Sequence, residues 1–319
     1  MIPSDFTEKV AESLGIRETK LVEKDLYLQG LLIELSKSEY FSENFVFKGG
    51  TCLTKAYFGY YRFSEDLDFT WLRQEAFKGK TENQIRRMLS EEINKIMELL
   101  AVTAKELGLD FRAEKSDKHY VQLGGSNRFA TFKFWYKPGN PVENETFIKI
   151  QLSFVDKIIH APKKHKLAPL SPPGKKELEL EYPEYAAMAL ESPSVYCYDL
   201  KEIASEKIRA LLTRRGFKAR DIVDLYMLDK KGITIKSARA MASEKTLFML
   251  RYLKYAEHLK LRHFGGNFAL GEEQNLLVKQ QGKDFGKFAE KALAELDGLA
   301  EEIRRKSAKW RGREKGDVI

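Results

Sequence analysis

Cysteine is scarce here. The two present in 319 residues, Cys52 and Cys197, cannot build a disulfide framework, and nothing around either suggests a metal site. They read as small buried residues of a reducing compartment. No hydrophobic run approaches the length that spans a membrane. The N-terminus, Met1-Ile2-Pro3-Ser4-Asp5, also lacks the basic and apolar regions of a signal peptide. The expectation is a cytoplasmic protein with no membrane partner. No internal repeat is present, which sets aside repeat architectures. His160 and His165 have no cysteine or acidic neighbours at ligand spacing, so a zinc site is not expected.

What is present is the material of a folded enzyme-sized chain. Apolar residues make up 43% and aromatics 12%, values of a globular protein, and 319 residues suffice for two cores. Lys and Arg outnumber Asp and Glu, 55 to 47, for a net charge of +8. That excess favours polyanionic partners, nucleic acid first.

Periodicity divides the chain near residue 198. Apolar residues at helical spacing from Leu21 to Leu35 predict a helix, and Phe45–Phe47 is a short buried strand running into Gly49-Gly50. Thr51 is placed to cap a helix through Leu53, Ala56 and Tyr57, after which Asp66–Trp71 forms a second strand. Thr81–Leu107 is a long amphipathic helix. Tyr120–Leu123 and Phe129–Tyr136 form a hairpin about Gly124-Gly125-Ser126-Asn127, and Phe147–Phe154 is a further strand. The lysine- and proline-rich stretch from His160 to Lys176 reads as a loop, followed by a short helix Ala186–Leu190 and a strand Val195–Tyr198. Beyond Asp199 only helices are expected, over Leu200–Leu212, Ala219–Leu228, Ser237–Leu261 and Asp284–Lys306, with Asp199 and Glu202 suited to the first helix's start. The fold class is therefore α/β (α+β): a mixed sheet flanked by helices in residues 1–198, then an all-helical domain in 199–319.

One constellation carries chemistry. The strand at Phe45 enters Gly49-Gly50-Thr51, a helix follows, and Arg62-Phe63-Ser64 leads to Asp66 and Asp68 on a strand. Backbone N–H groups of such a turn can hold a phosphate. Aspartates one residue apart on a strand point the same way. Carboxylates so placed beside a phosphate cradle suit Mg²⁺ or Mn²⁺ bridging protein and nucleotide, the layout of nucleotidyl transfer. Gly124-Gly125 lacks an acidic pair after it and is taken as a hairpin turn.

Lys48-Gly-Gly-Thr-Cys-Leu-Thr-Lys55 with Arg62-Phe-Ser-Glu-Asp-Leu-Asp68 resembles the first motif of the AbiEii-type nucleotidyltransferases, toxins of abortive-infection and toxin–antitoxin pairs, to which the MenT toxins are similar. Glu23-Lys24-Asp25 is similar to a motif that precedes the Gly-Gly-Thr segment in that family. Ala204 to Lys207, Arg214, and Arg220-Asp221 to Asp224 resemble its later motifs. The resemblance runs from about residue 20 to 230; the last ninety or so residues match nothing recognised. It implies a nucleotidyltransferase fold and transfer of an NMP from an NTP to a macromolecule, with tRNA the first acceptor to consider. A cognate antitoxin is implied as well. Asp66 and Asp68 would be catalytic metal ligands, and Gly49, Gly50, Thr51 and Ser64 would hold the triphosphate. Phosphorylating Ser64 would set negative charge beside the acid pair and inactivate the site.

Alternatives stand beside several of these assignments. Arg62 can contact phosphate or pair with an acidic neighbour. Lys207 and Arg214 share a helix face with Leu211, so Lys207 can serve the triphosphate or simply snorkel. Asp221 and Asp224 can face the cleft, while Arg220–Asp224 can be an ordinary i,i+4 pair. The third carboxylate usual in such folds falls on Gln151; it is lost, or supplied by Asp156 or Asp221. The acceptor can be a protein hydroxyl instead, and Gln151 favours an impaired nucleotide- or RNA-binding module. Lys157 to Lys166 can contact RNA or be a solvated loop. Phe132, Phe134, Trp135 and Tyr136 can stack bases or be core.

Overall fold

The computed structural model describes residues 1–139, 144–265 and 268–314. The chain packs as two units, Met1–Val155 with Pro162–Cys197, and Asp156–Ala161 with Tyr198–Ile319. In the first unit, α1 (Ser4–Ser13) precedes the buried helix α2 (Thr19–Lys37) and the short α3 (Glu39–Asn44). Strand β1 (Phe45–Lys48) passes directly into α4 (Gly49–Cys52), which continues as a π-helical segment, Leu53–Phe58, before β2 (Asp66–Trp71). Thr81 caps α5 (Glu82–Glu106) in a reciprocal box with Gln84, which fixes where that helix starts. Strands β3 (Val121–Gly124) and β4 (Phe129–Tyr136) form the expected hairpin, and β5 (Thr146–Ser153) pairs next to it. The remainder of the unit is β6 (Lys163–Lys166), α6 (Lys175–Glu181), α7 (Ala186–Leu190) and β7 (Ser194–Cys197).

The sheet is mixed, in the order β3-β4-β5-β2-β1-β7-β6. Burial alternates along β4 and β5, and that alternation defines two faces. Leu67, Phe69, Phe132, Phe134, Ile148 and Ile150 are buried on one. Phe41 stacks on Phe45 with centroids 4.7 Å apart and meets Phe69 edge-on at 4.9 Å, extending this core. Each such ring contributes about 1.5–3 kcal/mol through burial. The other face carries Asp66, Asp68, Lys133, Lys149 and Gln151, all half-exposed.

Two expectations are corrected in this unit. The stretch from His160 to Lys176 is not all loop, because it contains β6, paired antiparallel to β7. Lys163-Lys164-His165-Lys166 has no apolar alternation, yet lysines are what an outermost strand carries to discourage further pairing. Thr51 does not cap a helix. The helix has already begun at Gly49, and the Thr51 hydroxyl donates to the Asp66 carbonyl at 2.5 Å.

The second unit holds α8 (Leu200–Thr213), α9 (Ala219–Asp229), α10 (Ile235–Met249), α11 (Leu253–Leu261) and α12 (Phe285–Glu314). The single helix expected over Ser237–Leu261 is thus two. Arg251 turns back over the Phe248 ring, 3.7 Å from its centroid, and donates to the Phe248 carbonyl at 2.8 Å, satisfying an acceptor at the end of α10. Asp199 caps α8, accepting from the Lys201 N–H at 2.9 Å. Glu202 turns inward instead, ion-paired to the wholly buried Lys245 at 2.6 Å and accepting from the backbone N–H of Ile159 and His160. Lys245 also meets Asp156 at 3.2 Å, which in turn accepts from the Tyr198 hydroxyl at 2.9 Å. This cluster is what places residues 156–161 with the helices.

Candidate active site

Gly49 opens α4 with φ of +79°, a backbone conformation that L side chains rarely adopt. A Cβ there would also collide with the Asp68 carboxylate. At Gly50 a Cβ would collide with the Arg62 guanidinium and sit 3.1 Å from the Ser64 hydroxyl. The two glycines are therefore where the Arg62–Asp68 segment closes on the start of the helix. Gly49, Gly50, Thr51, Arg62, Ser64, Asp66 and Asp68 are brought together, as the spacing of the motif leads one to expect.

Asp66 and Asp68 sit on the same sheet face, with Lys48 the cross-strand partner of Asp68 on one side and Gln151 on the other. Lys149, partner of Asp66, approaches its carboxylate at 3.6 Å. Arg62 lies behind the glycines, 1% exposed, over the Tyr61 ring and donating to the Phe63 carbonyl at 2.8 Å. Its burial favours a part in holding the turn over a free phosphate contact. Thr51, likewise buried, ties the helix to β2 through its hydroxyl.

A second layer escaped the sequence reading. Lys55, on the π-helical segment, is fully buried and donates to Asp25 of α2 at 2.8 Å and to the Tyr60 hydroxyl at 2.5 Å; Tyr60 itself donates to Asp25 at 2.7 Å. Burial pushes the Lys55 ammonium down, against the pull of Asp25, and pushes the Tyr60 hydroxyl well up. Lys24 pairs with Glu65 at 3.1 Å, and Glu23 accepts from the Gly139 N–H at 3.0 Å. Lys24 and Asp25 thus latch α2 to the segment bearing the glycines and aspartates, while Glu23 holds Gly139. Their partners are 30 or more residues away, which no local spacing encodes.

In the helical unit, Lys207 of α8 lies between Asp221 and Asp224 of α9, 2.7 Å from each, and Arg214 meets Asp221 at 2.7 Å. Lys207 therefore does not snorkel: its side chain is 12% exposed and doubly paired. Burial alone would raise the Asp221 carboxyl, but Lys207 and Arg214 outweigh it and hold the group below its ordinary value. Arg220 is paired with Glu273 at 3.5 Å. Asp156 is engaged by Lys245 and Tyr198 and Asp221 by two cations, so both alternative sources of a third carboxylate already have partners. Opposite Asp68 the position is Gln151, as read.

Among the described residues no group of three or more His, Cys, Asp and Glu could hold a metal on its own. Two half-exposed carboxylates on one face, beside a turn that closes on them, suit Mg²⁺ instead, which keeps waters and takes one or two carboxylates plus substrate phosphates. His165 meets Tyr57, with ring centroids 4.6 Å apart and Nε2 3.2 Å from the hydroxyl. No helix among the described residues is long and apolar enough to cross a membrane.

A comparison with curated proteins finds no match. Comparison with known families matches residues 31–309 to one described as nucleotidyl transferase AbiEii toxin, type IV TA system. The match leaves Glu23-Lys24-Asp25 just outside and extends into α12, so the helices beyond residue 230 belong to the family pattern after all. With the glycine turn closed on its aspartates and the match running over most of the chain, this protein belongs to the AbiEii nucleotidyltransferase toxins of type IV toxin–antitoxin systems.

Proposed function

We propose that this toxin transfers an NMP from an NTP to tRNA, with pyrophosphate as the leaving group. The observation that carries the reading is the pair of glycines whose missing Cβ atoms leave room for Asp68, Arg62 and Ser64. A side chain at Gly49 would push Asp68 away from the turn, and one at Gly50 would displace Arg62 and crowd Ser64. In this reading the backbone at Gly49 and Gly50 approaches the triphosphate, with Ser64 donating its hydroxyl. Thr51 acts through the Asp66 carbonyl it binds, positioning that strand, and Arg62 supports the turn from behind. Asp66 and Asp68 would hold Mg²⁺ or Mn²⁺, which supplies charge neutralisation at the transferred phosphoryl group. Within the helical unit, Asp221 and Asp224 fix the heads of Lys207 and Arg214.

The family makes tRNA the first acceptor to consider, and the net charge of +8 agrees with a polyanionic partner. As a type IV toxin the protein has a cognate antitoxin. A protein acceptor is the competing outcome, and one incubation separates them. Pure protein, Mg²⁺, each α-³²P-NTP in turn and total tRNA should yield nuclease-sensitive label, absent with Asp66→Asn. Protease-sensitive label would replace tRNA with a protein acceptor. NTP binding without any transfer would make Gln151 the mark of an impaired module.

A further inference from the structure

Lys133 of β4 and Lys149 of β5 are direct cross-strand partners on the open face of the sheet. Like charges directly opposite are destabilising in a sheet, yet here both ammonium groups lie 5.4 Å from the centroid of the same ring, Phe147. Among the described residues one carboxylate, Asp66, is within ion-pair reach of the two, at 3.6 Å from Lys149. Among the described residues the Lys133 ammonium has one hydrogen bond, a long one of 3.5 Å to the Lys118 carbonyl. Beside them Trp135, half-exposed, packs on Phe147 at 4.6 Å and is backed by His119, stacked 4.1 Å away at 6°. Its indole N–H donates to the His119 carbonyl at 3.1 Å, so the ring is held rather than free to turn. Phe132, Phe134 and Tyr136 of the same strand are buried; Trp135 alone of that aromatic run lies on the open face.

Position on the sheet says what this patch serves. Strand β2, with the aspartates, lies between β1 and β5. The glycine turn follows β1, so a triphosphate held there lies to one side of the acid pair. In-line displacement brings the attacking hydroxyl in opposite the leaving pyrophosphate. The acceptor then arrives from the β5–β4 side, where the two lysines and the aromatic pair are. Cations for phosphates beside a fixed aromatic surface for bases are the means of binding single-stranded nucleic acid.

We propose that Lys133, Lys149, Phe147 and Trp135 form the acceptor subsite, taking the single-stranded end of an RNA, its backbone on the lysines and a base on the aromatic surface. This rests on the reading above, that the glycine turn holds the triphosphate and the acceptor is RNA. It adds where the RNA end lies and which side chains hold it.

The test measures binding of a short labelled single-stranded RNA across a salt series, beside binding of a fluorescent NTP, for wild type, Lys133→Gln, Lys133→Arg and Trp135→Leu. Lys133→Gln should weaken RNA binding and lower the slope of log affinity on log salt by about 0.7, the value of one phosphate on a single strand. Lys133→Arg should restore that slope, which guards against a merely structural loss. Trp135→Leu should weaken RNA binding at least about fivefold with the slope kept. NTP affinity should hold throughout. RNA binding and labelling that the variants leave intact would overturn the subsite while the transferase reading stands. Loss of NTP affinity in Lys133→Gln with RNA binding kept would assign the lysines to the triphosphate and overturn it as well. Wild type that binds and labels no RNA removes the RNA acceptor, and this subsite with it.

Discussion

On the sheet, Asp66 and Asp68 stand half-exposed on one strand and Lys133 faces Lys149 across two others, like charge beside like charge. In the helical unit, Lys245 is wholly buried between Glu202 and Asp156, and each carboxylate's remaining lone pairs take a hydrogen bond from Tyr198 or from backbone N–H groups. The second arrangement is complete: removing charges from water is repaid only by close partners and full hydrogen bonding. The first stays half-exposed, so its charges keep their water and are open to a ligand. Charges kept for folding and charges kept for a substrate can therefore be told apart by whether they are buried or left within reach of solvent, and substitution should separate the two kinds.

The largest effect should come from Asp68→Asn. Losing a metal-binding carboxylate should cut NMP transfer on the order of 10³-fold, corresponding to several kcal/mol at the transition state. Stability should change little, because this carboxylate is half-exposed. Thermal melting beside a transfer assay checks both. Label that persists, or a large drop in melting temperature, would erase the contrast between the two regions.

Lys245→Ala should behave in the opposite sense, as a folding defect. It leaves Glu202 and Asp156 buried without their cation, at a cost of about 3–5 kcal/mol. Urea unfolding of the full chain measures it, and a loss under about 1 kcal/mol would mean that water reaches the cluster. Lys245→Met combined with Glu202→Gln and Asp156→Asn should recover part of the loss, since no charge then remains buried.

What could be read from the sequence follows the same division. Gly49-Gly50, Ser64, Asp66 and Asp68 are local in sequence, and their chemistry dictates their spacing, so the motif was legible. The strand at Phe129–Tyr136 was legible as part of a hairpin, but not that Trp135 lies on the opposite face from Phe132, Phe134 and Tyr136. Asp25, Lys55 and Tyr60 were not legible as a set, because a buried ion pair between α2 and the π-helical segment leaves no pattern at separations of 30 and 35 residues. β6 was missed since a lysine-rich outer strand has the composition of a loop. The break between α10 and α11 was missed because it contains neither Gly nor Pro; an arginine side chain closes the helix there. Lys207 and Arg214 read as two cations beside an apolar stripe, and their pairing with Asp221 and Asp224 became visible only once α8 and α9 were packed.

A smaller effect is expected at Gln151. It is the β5 partner of Asp68, where the amide can donate or accept a hydrogen bond but adds no charge. Gln151→Glu should lower the Mg²⁺ concentration needed for half-maximal transfer by about threefold to tenfold, since ligand charge tunes affinity for hard cations. A magnesium titration of the transfer rate reads it directly. An unchanged titration would mean that the side chain at this position takes no part in holding the metal.

The smallest effect compares two aspartates that are both held below their ordinary values, one exposed and one buried. Asp284 accepts from Lys230 at 2.6 Å and from the Tyr226 hydroxyl at 2.7 Å, and these bonds lower its carboxyl to about 2. A depressed carboxylate stabilises the fold above its unfolded value and loses that contribution as pH falls through the folded one. The window for Asp284 therefore runs from 3.8 down to about 2. Asp221 has the same sign, with Lys207 and Arg214 prevailing over burial. Salt should distinguish them, because screening acts on exposed pairs far more than on buried ones. In an NMR titration, the Asp284 midpoint should move up toward 3.8 in molar salt while that of Asp221 stays in place. If both midpoints move together, α8 and α9 admit solvent to Lys207, and the helical cluster belongs with the open charges of the sheet.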